Sequence, residues 1–309
     1  MRELEAVAVL IPCYNEEKTI TKVVRDFLRE LPKANIYVFD NNSSDKSVEL
    51  AKKAGAVVEK VPYQGKGNVV REMFRRVEAD VYLMVDGDDT YDARDAKKIV
   101  AMVENGADMV IGDRLSSTYF RENKRFGHNF GNVLVRRLIN MFFRSNIQDV
   151  MTGYRGFSRR FVKTCPILSK GFQVETEMTV HALDKKMNVV SVPIGYKDRP
   201  VDSPSKLSTY KDGAKVMVTI FNLVKEYKPL MFFSIFALIA LIIAIILGVP
   251  VLVEYFKTGL VERFPSLIVA GFLVVMSFLS FVTGLILDIV LKKSRQQFEI
   301  NLNIINKVK

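Results

Sequence analysis

The sequence predicts an α/β chain: a mainly parallel sheet with helices on both faces, followed by two membrane-spanning helices. Strand-like and helix-like segments alternate through the first 113 residues, the pattern of parallel strands joined by crossover helices. One such strand, Val81–Val85, runs directly into three carboxylates, Asp86, Asp88 and Asp89. Farther on, two uncharged apolar stretches, Leu230–Val253 and Pro265–Leu287, are each long enough to cross a bilayer.

In chain order, Ala6–Ile11 reads as a buried strand that Pro12 stops, and Glu16–Glu30 as a helix with Ile20, Val23, Val24, Phe27 and Leu28 on one face. Ile36–Phe39 is a second strand and Ser44–Ala54 a helix; Ala56–Val61, Lys66–Val77, Val81–Val85, Arg94–Glu104 and Asp108–Ile111 continue the alternation. Over Arg125–Arg144, Phe130, Val133, Leu134, Leu138, Met141 and Phe142 fall at helical spacing among arginines. That pattern suits a helix in the bilayer interface, and equally an amphipathic helix packed on a sheet. Gln173–Lys186 is a further helix, with Glu175 and Glu177 complementing its N-terminal dipole; Asp212–Tyr227 is a second amphipathic candidate. His128 and His181 read as structural side chains.

The expected division is a cytosolic domain over 1–204, a juxtamembrane segment over 205–228, two spans within 229–290 (about 230–253 and 265–288) and a basic tail over 291–309. Lys225 and Lys228 precede the first span, and Lys292, Lys293 and Arg295 follow the second. Positive flanks stay cytosolic, so the large domain and both termini are expected in the cytosol of a multi-pass plasma-membrane protein. No signal peptide is expected ahead of the first strand. A net charge of +11 suits anionic lipid head groups or phosphorylated substrates, and nucleic acid is not expected as a partner of a chain with two spans. Cys13 and Cys165 lie in a reducing compartment and are expected unpaired.

Ligands of open α/β sheets bind beyond the carboxyl ends of the strands. Crowded carboxylates there invite a hard divalent cation, Mg²⁺ or Mn²⁺, that also bridges to substrate phosphate; the alternative is a solvated acidic turn. Tyr14 can lie flat against a base. Asp40 can hold a ribose or a base edge, or make an Asx turn, with Ser43 or Ser44 capping the next helix. In Gln64-Gly-Lys-Gly-Asn68 the glycines would admit a phosphate to backbone amides, and Lys66 adds charge at a helix start.

Taken as an ordered set, Ile11-Pro-Cys-Tyr-Asn-Glu-Glu17, Asp40-Asn-Asn-Ser-Ser-Asp45, Gly65-Lys-Gly67, Asp86-Gly-Asp88, Gly112-Asp-Arg114, Thr152-Gly-Tyr-Arg155 and Ser205-Lys-Leu207 match one pattern. The chain resembles the family 2 glycosyltransferases with the GT-A fold, in the branch that loads sugars onto polyprenyl phosphates (dolichyl-phosphate mannose synthase and its bacterial relatives). The resemblance implies that Pro12, Tyr14, Glu16, Asp40 and Asp86 hold the nucleotide and that Lys66 lies near the diphosphate. It makes Asp86 and Asp88 the metal pair, with Asp88 the direct ligand. Some relatives add a Gln two residues later; Thr90 stands there, so water would complete the set. Arg114 and Arg125 match the region that holds the acceptor phosphate, and Lys206 matches a basic residue on a closing loop. Asp113, Tyr154, Arg155 and Glu175 are candidate sugar or acceptor contacts.

The implied reaction is inverting, metal-dependent hexose transfer from a nucleotide sugar, UDP-linked by preference, to undecaprenyl or dolichyl phosphate, for cell-envelope glycan or protein glycosylation. Some relatives associate through their C-terminal helices, which makes a homo-oligomer compatible with the resemblance. Competing readings are a transferase with another lipid acceptor, diacylglycerol or a lipid-linked saccharide, and a haloacid-dehalogenase-type phosphatase, whose D-x-D-x-T motif Asp86-Gly-Asp-Asp-Thr90 fits. A sugar-nucleotide-binding partner without activity is a third. A processive synthase is disfavoured by the absence of Trp.

Overall fold

The structure, a computed structural model, describes residues 5–115, 126–171, 173–197, 218 and 221–307. The chain divides into two compact units, 1–216 and 217–309.

The first unit is built on seven strands: β1 (Glu5–Cys13), β2 (Asn35–Asp40), β3 (Val57–Lys60), β4 (Ala79–Met84), β5 (Met109–Asp113), β6 (Arg155–Ser158) and β7 (Val189–Pro193). Their order is β3-β2-β1-β4-β6-β5-β7, parallel except for β6, which runs antiparallel to β4 and β5. The helices of this unit are α1 (Ile20–Glu30), α2 (Ser47–Lys53), α3 (Lys66–Arg76), α4 (Ala96–Glu104), α5 (Phe126–Phe143), α6 (Arg159–Thr164) and α7 (Val174–Asp184). Strand periodicity sorts the core into two layers. Val9, Ile11, Val38, Leu83 and Val110 point with Ile20, Val24 and Phe27 of α1 and Ile99 and Val103 of α4 into one. On the other face Phe74 of α3 meets Phe157 of β6 and Phe161 of α6 edge-on, while Phe157 and Phe161 stack at 4.9 Å.

The five expected strands and the helices between them are present. Two boundaries carry physical information. β1 does not stop at Pro12: it continues to Cys13, which pairs with Asp40 of β2. On its other side the ladder to β4 ends with the Val85 amide on the Leu10 carbonyl, because Pro12 has no N–H to extend it. The chain after Val85 is therefore released from the sheet. The expected helix over 94–104 begins as a 3₁₀ turn, Ala93–Asp95, with Asp92 capping the Arg94 amide, before α4 proper. Sequence periodicity did not reveal β6. It starts with a buried Arg and a Gly, and Gly156 is needed because a Cβ there would lie 2.6 Å from Ile99 of α4.

The second unit is a pair of helices, α8 (Pro229–Thr258) and α9 (Phe264–Lys307). Both are long and apolar enough to cross a membrane. Their outward surface is apolar, with Ile235, Leu238, Ile246, Phe272 and Phe278 exposed, while the contact between them uses small residues. Ala237, Ala244, Ala270 and Ser277 are buried, the Ser277 hydroxyl donates to the Ala237 carbonyl at 2.7 Å, and a Cβ at Gly284 would lie 3.0 Å from Phe233 Cβ. Residues 221–227, in the second amphipathic candidate, are helical. α9 runs unbroken through most of the segment read as a tail. Its 44 residues span roughly 66 Å at 1.5 Å per residue, about twice a hydrocarbon core.

His181 on α7 packs edge-on against Phe161. Burial, aided by Lys185, lowers its pKa to about 4. The unfolded chain therefore binds this proton first on acidification, and stability is lost as pH falls from about 6.5 towards 4. Thermal denaturation should show that His181→Leu removes about 2 kcal/mol of the loss between pH 7 and pH 5; an equal loss in both proteins would contradict this.

Candidate active site

The strand order reverses between β1 and β4, because the chain leaves β1 towards β2 and β3 and returns on its other side as β4. Such a reversal opens a crevice at the carboxyl ends of the strands. Four loops converge there: 14–19 after β1, 40–46 after β2, 61–65 after β3 and 85–92 after β4.

The first two loops are laced together. The Asn15 amide donates to Ser43 Oγ, Glu16 to Ser47 Oγ and Glu17 to Asp45; in return the Ser44 amide donates to Asn15 Oδ1 and Lys46 to Glu17. Asn15 and Asn42 adopt positive φ, which asparagine tolerates well. Asp40, 2% exposed at the end of β2, accepts the Ser43 amide, so the Asx turn is present. Glu16 is buried and Tyr14 is 39% exposed at the mouth. Asn41 links the third loop, donating to the Val61 and Tyr63 carbonyls and accepting the Gly65 amide.

The glycines of Gly65-Lys-Gly67 have a different use from the phosphate cradle expected of them. The Gly65 amide is engaged by Asn41 and the Gly67 amide by the Lys170 carbonyl. A Cβ at Gly65 would lie 2.2 Å from the Lys170 carbonyl, and one at Gly67 2.0 Å from that of Ser169. Both glycines let the 165–171 segment pack against the start of α3.

Lys66 points inward. Its ammonium lies 2.5 Å from Asp86 Oδ1 and 2.6 Å from Glu175 Oε1; the Lys66 and Glu175 side chains are largely buried, and Asp86 is partly exposed. Burial alone would lower the Lys66 pKa, but the charges of Asp86 and Glu175 outweigh it and raise the value, so the ammonium stays protonated. Asp88 is buried and accepts the Thr90 hydroxyl at 2.7 Å. Thr90 thus orients Asp88 from the position where some relatives carry Gln. Thr19 donates to the Gly87 carbonyl, and Asp89, at φ +59°, pairs with exposed Lys22. Such an exposed pair contributes little.

The Thr152-Gly-Tyr-Arg155 segment supports this turn from beside it. A Cβ at Gly153 would lie 2.2 Å from Asp86 Oδ2. Tyr154 is wholly buried between Phe27 and Tyr91. Arg155, also wholly buried, donates to the Val150 and Thr152 carbonyls and to Thr179. Burial lowers its pKa to about 10, which still leaves it charged at neutral pH. The structure gives these two residues packing and anchoring contacts instead of the surface positions expected of sugar contacts. Asp113, buried at the end of β5, accepts the Leu115 amide. Arg114 is gripped bidentately by Asp149, at 2.7 and 3.1 Å, with the Tyr196 ring beneath it. The Tyr91 hydroxyl accepts the Gly153 amide, joining this cluster to the Asp86 turn. Arg125 and Lys206 lie outside the described residues.

With this geometry in place, comparison with known proteins is informative. The glycosyl transferase family 2 pattern matches residues 8–165, just over half of the 309-residue chain. The chain belongs to glycosyl transferase family 2. Glycosyltransferase AglJ of Haloferax volcanii is 32% identical over 96% of this chain and 97% of its own length. A dolichyl-phosphate hexose transferase of the same organism is 28% identical, covering 71% of this chain and 94% of that one. Protein RfbJ of Shigella flexneri is 58% identical over 35% of this chain and 84% of its own. Among solved structures, glucosyl-3-phosphoglycerate synthase of Mycobacterium tuberculosis, in complex with Mn²⁺, UDP and phosphoglyceric acid, superposes with a TM-score of 0.56. It is 20% identical, covering 72% of this chain and 78% of that one, a likeness of fold.

For a family 2 glycosyltransferase the residues of the turn fit a hard divalent cation. Asp86 and Asp88 supply carboxylate oxygens, and the missing Cβ at Gly153 keeps the space at Asp86 Oδ2 clear. Among the described residues no group of three or more His, Cys, Asp or Glu is placed to hold a metal, so diphosphate oxygens and water would complete the shell. Gly153→Ala should displace the Asp86 carboxylate while leaving the sheet intact. Calorimetry is expected to show UDP binding in Mn²⁺ weakened about tenfold or more with the circular dichroism unchanged; undiminished binding would show that Gly153 does not shape the site.

Proposed function

We propose that the protein transfers a hexose from a nucleotide sugar, UDP-linked by preference, to a membrane polyprenyl phosphate, with inversion at the anomeric carbon. The observation that carries this reading is the Asp86–Asp88 turn at the sheet's reversal point, in a chain that also holds two helices apolar enough to span a membrane. The dolichyl-phosphate hexose transferase among its relatives supports the choice of acceptor. The catalytic domain and both termini are proposed to face the cytosol, following the basic flanks.

The nucleoside would sit across the laced loops, with Tyr14 against the base and Asp40 and Glu16 at the ribose and base edge. Asp86 and Asp88 would hold Mg²⁺ or Mn²⁺, which when bound neutralises the charge of the departing diphosphate. An acceptor phosphate oxygen is already anionic at neutral pH, so the residues need only orient it and steady the developing charge; no side chain has to remove a proton. Displacement from the face opposite the diphosphate turns an α-linked donor into a β-linked product. Arg114, fixed by Asp149, would set the acceptor side of the cleft, with Arg125 and Lys206 as further candidates for the phosphate. The phosphatase reading requires Asp86 as a nucleophile, whereas the family match supports a different chemistry.

The test is a donor panel (UDP-glucose, UDP-N-acetylglucosamine, GDP-mannose) with a short-chain polyprenyl phosphate, Mg²⁺ or Mn²⁺, and the full chain in detergent. The expected product has the mass of polyprenyl-phosphate hexose and a β anomeric signal. Transfer to diacylglycerol or a lipid-linked saccharide in place of the phosphate would overturn the acceptor assignment.

A further inference from the structure

The buried pair Lys66–Glu175 is larger than support of a single carboxylate requires. One ammonium sits between two carboxylates from distant parts of the chain: Asp86 after β4, and Glu175 in the first turn of α7. Glu175 is 4% exposed, and its second oxygen, Oε2, is buried without a hydrogen-bond partner. A buried oxygen left in that state is costly unless some state of the protein gives it a donor. A donor is at hand in the Lys66 ammonium, 2.6 Å from the twin oxygen Oε1.

From this we propose that Glu175 is a positioning residue that sets the metal affinity of Asp86 by providing Lys66 with a second anchorage. The inference rests on the metal-dependent reading given above. Lys66 and a cation compete for the same carboxylate: Oδ1 of Asp86 is occupied by the ammonium. Bringing a divalent ion to Asp86 and Asp88 repels that ammonium across a poorly screened interior. With Glu175 present, Lys66 yields Asp86 Oδ1 and moves onto both Glu175 oxygens, remaining neutralised and dry. Without the Glu175 charge, Lys66 loses one of the two carboxylates that hold it, and the cation competes with an ammonium bound more firmly to Asp86. The same device keeps Asp86 in one orientation before the donor arrives. No bond is made or broken; a proton-bearing ammonium changes partner.

Mn²⁺ binding to the full chain in detergent micelles tests this, read as loss of the free-ion electron paramagnetic resonance signal with UDP present and against a protein-free UDP control. Glu175→Gln is expected to weaken Mn²⁺ binding about tenfold, the size typical of losing an outer-shell partner. The double variant Lys66→Met/Glu175→Gln, which removes the competing ammonium along with its anchor, is expected to return to within about threefold of the parent. Its two neutral side chains of similar volume also guard against a variant that merely fails to fold. Mn²⁺ affinity unchanged in Glu175→Gln, or a double variant as weak as the single one, would overturn the proposal and leave Glu175 a purely structural residue. Absence of Mn²⁺ binding by the parent protein would instead remove the metal-dependent reading itself, and this proposal with it.

Discussion

The arrangement depends on how the carboxylates at the end of β4 are kept together. Asp86, Asp88 and Asp89 stand within four residues, and like charges so close repel strongly in a low-dielectric setting. Each has its own means of accommodation. Asp86 takes the buried ammonium of Lys66, Asp88 takes the hydroxyl of Thr90, and Asp89 turns out to Lys22. The three are therefore separated by function before any ligand arrives. Asp88 is buried, while Asp86 and Asp89 each keep part of the side chain exposed.

That separation needs the turn to be free of the sheet and yet rigid. Pro12 ends the β1–β4 ladder after Val85, which frees the turn. Thr19, Gly153 and the Tyr91 hydroxyl then hold it from three directions: a hydrogen bond to Gly87, a close approach to Asp86 and a bond to the Gly153 amide. Behind Gly153, wholly buried Arg155 and Tyr154 fix the backbone, and the Arg114–Asp149 pair closes the far side. An enzyme that works by orientation and charge placement gains from a turn whose backbone is held in place before its ligands bind.

Much of this was legible in the sequence, for identifiable reasons. The first five strands are short apolar runs punctuated by Pro12, Asp40 and Asp86, and the helices between them keep one apolar face, so periodicity alone orders them. The carboxylate cluster announces itself because acidic residues rarely follow a buried strand without purpose. What was hidden depends on contacts between residues far apart in the chain. Asp149 lies in an irregular segment 35 residues from Arg114, and Glu175 is 109 residues from Lys66; neither pairing has a local signature. Gly65 and Gly67 looked like a phosphate cradle because glycine signals a close approach without naming what approaches, and the approaching groups are the Ser169 and Lys170 carbonyls. Tyr154 and Arg155 were drawn into the site by their motif, whereas the residue of that motif that touches Asp86 is Gly153. β6 escaped because its first two residues, Arg155 and Gly156, interrupt any apolar run.

The account stands or falls on Asp88 as the residue through which a metal-bound donor becomes reactive. The most direct measurement is single-turnover transfer of radiolabelled hexose to a short-chain polyprenyl phosphate by the full chain, compared with the Asp88→Asn variant across a Mn²⁺ titration. The account predicts metal-dependent transfer by the parent and a loss of at least about 100-fold in the variant, of the size removal of a key charge-stabilising group produces, with the fold unchanged. Full transfer by Asp88→Asn without divalent metal would contradict it.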